Sequence, residues 1–98
     1  MPAYVIADVT IHNPQLYEEY RKLTPGSIAP FGGKFIVRGG ATETMEGNWN
    51  PGRVVILEFE SVEKAKAWWN SEIYAPAKAI RQQASYTNML IVEGVKSV

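Results

Sequence analysis

The sequence predicts a small α+β protein, and two observations carry that prediction. Four runs rich in β-branched and aromatic residues alternate with two segments whose apolar residues recur at helical spacing. Their order along the chain is β-α-β-β-α-β, with glycine, proline and asparagine at the junctions. This is the split βαβ, or ferredoxin-like, arrangement, a four-stranded antiparallel sheet that carries both helices on one face.

Length and composition indicate one domain over residues 1–98. The apolar fraction of 46% excludes a disordered chain. The 10 acidic and 10 basic residues cancel, so no net charge attracts nucleic acid or an anionic membrane. The chain has no cysteine, which excludes a disulfide framework, a thiol nucleophile and a thiolate metal site.

The N-terminus and the hydropathy pattern predict a cytoplasmic protein. Met1 leads within a few residues into a predicted strand, without the basic stretch and apolar core of a signal peptide. No apolar run approaches the ~20 residues that span a bilayer. RNA-recognition modules share the predicted topology, but their aromatic strand motif is missing here. Neither membranes nor nucleic acids are therefore expected as partners.

The first strand and the first helix follow from the N-terminal pattern. Residues 3–11 are rich in strand-forming side chains, and Asn13 followed by Pro14 is a favourable helix start. The apolar face of this helix is predicted from residues at helical spacing, which are Leu16, Tyr20 and Leu23. Residues 24–26, Thr-Pro-Gly, are expected to interrupt the helix, with a short turn continuing to residue 30.

Two strands and a long connection are predicted next. Paired glycines on either side bracket the second strand, residues 34–38. Residues 40–52 are expected to form a long hairpin arm that is lightly paired around residues 42–45. The apolar run within residues 53–59 predicts a third strand in a central position.

The second half closes with a broken helix and a last strand. Ser61 is a favourable cap for the second helix, and the Asn70-Ser71 pair is expected to break it. Residues 86–93 form the fourth predicted strand. Right-handed crossovers then place the third strand between the first two and the fourth strand beside the first.

One face of the predicted sheet has nothing in the chain to cover it. Alternation along the first strand directs Val5, Ala7, Val9 and Ile11 toward the helices. The uncovered face is expected to carry Tyr4, Ile6, Asp8, Thr10, Ile36, Arg38, Val54, Ile56, Glu58 and either Met89 or Leu90. Such a patch is too apolar for a monomer to leave in water, so we expect a homodimer that packs sheet against sheet. A half-polar, solvated sheet is the alternative.

Short motifs spread over nearly the whole chain carry a family resemblance. They are Gly32-Gly33-Lys34, Val37-Arg38-Gly39-Gly40, Glu46-Gly47-x-Trp49-x-Pro51-x-Arg53-Val54-Val55, Glu58-Phe59-x-Ser61, Ala65-x-Ala67-Trp68, Ser71-x-x-Tyr74, Arg81 and Val92-Glu93-Gly94. Together they resemble the domain of unknown function 1330 family, which is similar to the dimeric α+β barrel superfamily. The resemblance implies the same homodimer as the uncovered sheet face. Related branches include small monooxygenases, isomerases, haem-degrading enzymes and stress-responsive binding proteins, so no single reaction is implied.

Three arginines far apart in sequence are expected to meet at one end of the sheet. Arg38 ends the second strand, Arg53 begins the third, and Arg81 lies near the end of the last helical segment. Guanidinium groups pair in a bidentate way with carboxylate or phosphate, so these residues are candidates for binding an anion. The alternative is that they form structural ion pairs with Glu46, Glu58, Glu72 or Glu93.

Other residues are candidates for completing this site. Ser71 and Tyr74 lie at the helix break, where a cleft rim is expected, and Trp49 on the long arm is a candidate cover for a flat ligand. Trp49 is equally a candidate anchor that reaches the other subunit. The alternative for Tyr74 is a purely structural role, as a packed side chain whose hydroxyl forms a hydrogen bond with the backbone.

Three residues are candidates for proton transfer. Tyr74 is a possible proton carrier, Asp8 a possible general base, and His12 is the only histidine. Asp8 is alternatively a buried partner of an arginine, and His12 a solvated loop residue. One histidine without cysteine cannot build an ordinary zinc site, and it offers haem no more than one axial ligand. No metal and no cofactor are therefore expected.

Two functions of different class remain open. The first is a homodimer that binds a small, partly apolar, carboxylate-type anion in a cleft at the sheet edge, with cofactor-free isomerisation, dehydration or oxygenation as possible reactions. The second is a non-catalytic dimeric structural or interaction module. A pocket lined by arginines that lack glutamate partners favours the first. Catalysis further requires a carboxylate or phenol with a perturbed pKa in that pocket.

Overall fold

A computed structural model describes residues 1–96 as an antiparallel sheet with its helices on one face. The strands are β1 (Ala3–Ile11), β2 (Lys34–Arg38), β3 (Arg53–Phe59) and β4 (Ser85–Glu93). The helices are α1 (Pro14–Ile28), α2 (Val62–Trp69) and α3 (Ala75–Ala84), with one 3-10 turn at Ala29–Phe31. The strand order β2-β3-β1-β4 is the predicted one, so the ferredoxin-like α+β fold is confirmed. Within the described residues, no helix combines the length and the apolar character needed to cross a membrane.

The register of β1 confirms the predicted faces of the central sheet. β1 pairs with β3 on one side and with β4 on the other, both antiparallel. Val5, Ala7 and Val9 are buried beneath the helices, whereas Tyr4 and Ile6 on the opposite face are only half-buried. Because side chains alternate along a strand, the uncovered face can be followed across all four strands.

An aromatic cluster fills the space between the sheet and the break that separates α2 from α3. Trp68 stacks on Tyr74 with ring centroids 4.0 Å apart and lies against Phe59 at 5.6 Å. All three side chains are fully buried. The indole N–H of Trp68 donates to Ser27 Oγ at 3.1 Å, so burying this ring leaves no unpaired donor.

Helix α1 continues through Pro25, and the expected interruption at residues 24–26 is wrong. A proline inside a helix has no N–H, so it leaves the carbonyl of Arg21, four residues earlier, without its helical donor. Nη2 of Arg38 donates to that carbonyl at 3.1 Å. The side chain of a neighbouring strand therefore replaces the missing backbone hydrogen bond.

The inward face of α1 is more polar than the sequence pattern predicts. Its buried residues are Tyr17, Tyr20, Thr24, Ser27 and Ile28. Leu23, expected on the apolar face, is 47% exposed. The hydroxyls of Thr24 and Ser27 each donate to a carbonyl of the same helix at 2.7 Å, which removes most of the penalty for burying them. The helix can therefore turn its two tyrosines inward.

A bulge in β2 changes the face on which Arg38 lies. Phe35 pairs with Leu57 in regular register, but the register then shifts at Ile36. Arg38 consequently pairs with Val55, which lies on the helix side of the sheet. The placement of Arg38 on the uncovered face is therefore wrong, because strict alternation fails where one strand contains an extra residue.

The long connection between β2 and β3 lies outside the sheet. Residues 40–52 form no strand, so the light pairing expected around residues 42–45 is absent. The carboxylate of Asp8 holds the end of this arm, since Oδ1 accepts from the Gly52 N–H at 2.9 Å and Oδ2 from the Trp49 indole at 3.4 Å. Asp8 therefore acts as a tether for the arm.

The predicted break after Trp69 is present and is organised by Ser71. Its Oγ donates to the carbonyl of Trp68 at 2.8 Å and accepts from the N–H of Tyr74 at 3.1 Å. One hydroxyl thus satisfies a carbonyl at the end of α2 and an N–H at the start of α3. This arrangement fixes the direction of α3 and the position of Tyr74.

Replacing Ser71 with alanine should lower the free energy of unfolding by about 1 kcal/mol, because both hydrogen bonds at the break are lost. Urea unfolding at one protein concentration measures the change. Glu72→Ala, an exposed change in the same turn, is the matched control and should have little effect. Equal midpoints for the two variants would show that the hydroxyl does not organise the break.

Candidate functional site

A cavity lies between α1 and the helix side of the sheet. The enclosed part is small, since the centre of a water-sized sphere can occupy only ≈ 30 Å³ of it. The whole atom-free space, including the open mouth, is ≈ 450 Å³. Its floor is formed by apolar side chains of the two central strands, which are Val5, Ala7, Val9, Val55 and Leu57. Its walls carry four arginines, which are Arg21, Arg38, Arg53 and Arg81. The structure therefore brings Arg38, Arg53 and Arg81 together around one space.

Arg81 is the most buried charged group in this cavity. Its side chain is only 5% exposed, and its Nε donates to Tyr74 Oη at 3.4 Å. Its guanidinium carbon also lies 5.8 Å from the centroid of the Trp69 ring. An arginine keeps its charge in proteins, so these neutral aromatic neighbours surround a full positive charge.

None of the three predicted arginines has a carboxylate partner within residues 1–96. The ion pairs in that part of the chain are Arg21–Glu18 at 3.2 Å and Lys34–Glu58 at 3.0 Å. The expected alternative, pairing of these arginines with glutamates, is therefore not found there. A buried charge without a counterion is costly, so an arrangement of this kind is suited to an anion from outside the chain.

Arg53 lies beneath the turn that follows β2. Its guanidinium carbon lies 6.0 Å from the centroid of the Tyr17 ring, and its buried Nε has no hydrogen-bond partner among the described residues. Gly39 has φ +73°, and a Cβ on it would come within 2.6 Å of the guanidinium carbon of Arg53. The positive φ therefore favours glycine at position 39, and a larger residue there would also displace the guanidinium end of Arg53.

Arg38 stands at the mouth of the cavity. Its side chain is exposed, its guanidinium carbon lies 4.3 Å over the ring of Phe35, and it donates to the Arg21 carbonyl. One hydrogen bond to a neutral carbonyl uses one of its five N–H donors. The group is therefore held in place while donors remain for a ligand.

Two tyrosines of α1 complete the wall. The hydroxyls of Tyr20 and Tyr74 are 3.0 Å apart in a hydrogen bond. Burial, reinforced by the neighbouring Tyr74, raises the pKa of Tyr20 well above its usual range. Burial and the nearby Tyr20 also raise the pKa of Tyr17, against a smaller opposing effect of Arg53. Both phenols therefore keep their protons to a higher pH than an exposed tyrosine does.

The other predicted site residues do not line the cavity. Tyr74 lies directly behind Arg81 and Tyr20, fully buried. Ser71 belongs to the helix break. Asp8 pairs with Val54 on the uncovered face of the sheet, and Trp49, 63% exposed, lies beside it. His12 is exposed at the end of β1, where its backbone N–H donates to the carbonyl of Ala84.

Several cavity residues were not predicted as site residues from the sequence, and three of them share one face of α1. Tyr17, Tyr20 and Arg21 have the i, i+3, i+4 spacing of a single stripe on α1. The predicted inner face of α1 included Tyr20, but it combined this residue with Leu16 and Leu23 instead of Tyr17 and Arg21. Phe35, another of them, is an inward residue of β2 with no distinguishing signal. No three His, Cys, Asp or Glu side chains cluster as metal ligands in the described part of the chain.

The fold and the cavity together define a class, a ferredoxin-like α+β protein with an arginine-lined cavity between its helices and its sheet. The chain belongs to the family described as domain of unknown function DUF1330, which matches residues 2–95. The resemblance of its motifs to that family is thereby confirmed. No curated protein matches the chain in sequence.

Solved structures share this fold at low sequence identity. A protein of unknown function from Rhodopseudomonas palustris is 17% identical with a TM-score of 0.76, covering 98% of this chain and 84% of that chain. SnoaB, a cofactor-independent oxygenase from Streptomyces nogalater, is 11% identical with a TM-score of 0.67, covering 99% and 96%. A proposed antibiotic biosynthesis monooxygenase from Caulobacter crescentus CB15 is 15% identical with a TM-score of 0.59, covering 97% and 91%. Identities this low establish likeness of fold alone.

Tyr20→Phe should weaken the loss of stability at alkaline pH. In the wild type, the unfolded chain releases the Tyr20 proton near pH 10.0 while the folded chain retains it. The stabilisation is fully present below that pH and is lost as pH rises toward the raised pKa. Without this phenol, the fall in unfolding free energy from pH 9 to pH 11 should be smaller by about 1 kcal/mol.

Urea unfolding at the two pH values measures this difference. Tyr86→Phe removes a tyrosine that is 73% exposed and serves as the matched control. If the unfolding free energy of Tyr20→Phe falls between the two pH values by as much as that of the wild type, Tyr20 does not retain its proton in the folded protein.

Proposed function

We propose that the protein binds a small, partly apolar, carboxylate-type anion in the cavity between α1 and the sheet. One observation carries the proposal: the buried guanidinium of Arg81, without a carboxylate partner in residues 1–96, faces a cavity that two further unpaired arginines line. Charge-assisted hydrogen bonds from guanidinium groups are among the strongest that proteins form with carboxylates.

The lining has positive groups that would bind the carboxylate and apolar residues that would contact the hydrocarbon part of the ligand. Arg53 and Arg81 supply positive charge within the cavity, and Arg38 supplies it at the mouth. The floor from β1 and β3 is apolar and favours a hydrocarbon part of the ligand. Tyr17 and Tyr20 add phenol groups to the wall, and the hydroxyl of Tyr20 is paired with that of Tyr74. Tyr74 acts behind them, since its hydroxyl bonds both Tyr20 and Arg81 and keeps them in position.

The same lining limits the chemistry that we propose. Among the cavity residues of the described chain there is neither a carboxylate nor a histidine to accept a proton at neutral pH. The cavity is suited to stabilising a substrate that is already an anion, such as an enolate, rather than to removing its proton. Cofactor-free oxygenation, the activity in the description of SnoaB, would use the cavity in this way. Isomerisation and dehydration would each need a base from elsewhere.

A non-catalytic structural module is the second candidate function, and one contact favours it. Arg38 satisfies the carbonyl that Pro25 leaves free in α1, which is a sufficient structural reason for an arginine at that position. On this view the arginines hold helix and sheet together, and no ligand enters the cavity.

We also propose that the protein is a homodimer through the uncovered sheet face. The exposed apolar residues of this face and of the arm beside it are Ile36, Tyr86, Leu90, Val92, Met45 and Trp49. Apolar side chains this numerous on one open sheet mark an interaction surface, and a two-fold partner covers such a sheet with its own copy. Trp49 would then contact the partner subunit rather than cover the ligand of its own chain.

A thermal-shift screen of small carboxylates, phosphates and aromatic acids tests the anion site. A bound acid at ~100 times its dissociation constant adds ~2.7 kcal/mol, which raises Tm on the order of 10 °C for a domain of this size. Arg38→Ala and Arg81→Gln should remove the shift, and Lys66→Ala, an exposed cation on α2, should keep it.

Arg38 lies at an exposed position, so its variant should fold even where the loss of Arg81 destabilises the core. If no acid shifts the wild type and both arginine variants are merely less stable, the arginines are structural and the second candidate function is correct.

Light scattering at several concentrations tests the dimer. The wild type should have about twice the monomer mass of 10.9 kDa. Leu90→Glu places a charge on the uncovered face and should give the monomer mass, because a desolvated unpaired charge opposes association. Leu23→Glu, at a comparably exposed leucine on α1, should leave the dimer intact. A wild-type mass near 10.9 kDa at every concentration would overturn the dimer.

A further inference from the structure

A second apolar pocket adjoins the arginine cavity on the helix side of the sheet. It lies between α2 and the edge strand β4 and is lined by Val5, Trp68, Trp69, Met89, Leu90 and Ile91. The space that the centre of a water-sized sphere can reach there is ≈ 260 Å³, against ≈ 30 Å³ in the arginine cavity.

The two pockets share one wall. Val5, Trp68 and Met89 line both of them. Val5 is held in the central strand β1, and Trp68 is fixed by its hydrogen bond to Ser27 and its stacking on Tyr74. Met89 is half-buried on the edge strand and has an unbranched side chain with three rotatable bonds. Met89 is therefore the side chain of this wall that can change its rotamer and open a passage.

The chemistry changes across this wall. Four guanidinium groups line the arginine cavity, whereas no charged side chain lines the pocket beside β4. A ligand that occupied both would need an anionic group at one end and a hydrocarbon at the other. The passage freed by Met89 has the width of one unbranched side chain, so it would admit a slender alkyl chain more readily than a fused ring system.

We propose that the two pockets form one site gated by Met89, and that the ligand is an unbranched aliphatic carboxylate whose tail lies under Trp69. The proposal rests on the anion site proposed above and deepens it by naming the class of ligand. The carboxylate is held at Arg38, Arg53 and Arg81, and the tail passes Met89 into the pocket between α2 and β4. Each methylene buried there should strengthen binding about fourfold.

Isothermal calorimetry with butanoate, hexanoate and octanoate tests the tail pocket. In the wild type, octanoate should bind on the order of 100-fold more tightly than butanoate, because four more methylenes are buried. Met89→Trp fills the passage and Ile91→Phe fills the far pocket from a position outside the arginine cavity. In both, the ratio of the two affinities should fall close to one. Leu23→Phe, on the outer surface of α1, should keep the wild-type ratio.

Because Ile91→Phe fills the pocket independently, the test remains valid if Met89→Trp does not fold. Octanoate that binds no more tightly than butanoate in the wild type, or a preference that survives Ile91→Phe, would overturn the tail pocket while leaving the anion site in place. Binding of both acids that persists in Arg38→Ala and Arg81→Gln, or no binding of either acid to the wild type, would overturn the anion site itself. The two failures are therefore distinguishable.

Discussion

The charge of Arg81, buried where α1, the helix break and the sheet meet, constrains the structure around it. Arginine carries a positive charge, so the surroundings of Arg81 must accommodate a cation that is almost completely shielded from water. They do so with aromatic rings and phenols, and the hydroxyls of Tyr74 and Tyr20 connect Arg81 to α1. This is a physical reason for tyrosines rather than leucines on the inner stripe of α1.

Two local irregularities orient the side chain at the cavity mouth. The bulge in β2 turns Arg38 from the open face of the sheet to the helix side, and Pro25 leaves a carbonyl of α1 without its helical donor. The guanidinium of Arg38 then donates to that carbonyl. Defects in a strand and in a helix thus compensate each other, and their meeting point is the entrance to the site.

The fold was predictable from the sequence because its determinants are local. Alternation along β1, the cap at Asn13 and the polar break at Ser71 each act within a few residues. The three arginines could be assigned to one end of the sheet from topology. Their common cavity could not, since the bulge at Ile36 carries no glycine or other marker, and the rotation of α1 depends on how its tyrosines pack. Empty space is a property of side chains meeting across elements, which a pattern along one segment does not encode.

The strand order has a consequence for how the protein acquires its site. β1 pairs with β4 over its whole length, from Ala3 with Glu93 to Ile11 with Ser85. The first strand therefore cannot complete its pairing until the last strand is present. Contacts this distant in sequence slow folding, since the intervening chain must be ordered first. During synthesis the emerging chain would carry β1 with one open edge, which exposes it to aberrant pairing until β4 is released from the ribosome. Arg81 and Met89 are also translated late, so the arginine-lined cavity forms only in chains that have been translated through β4.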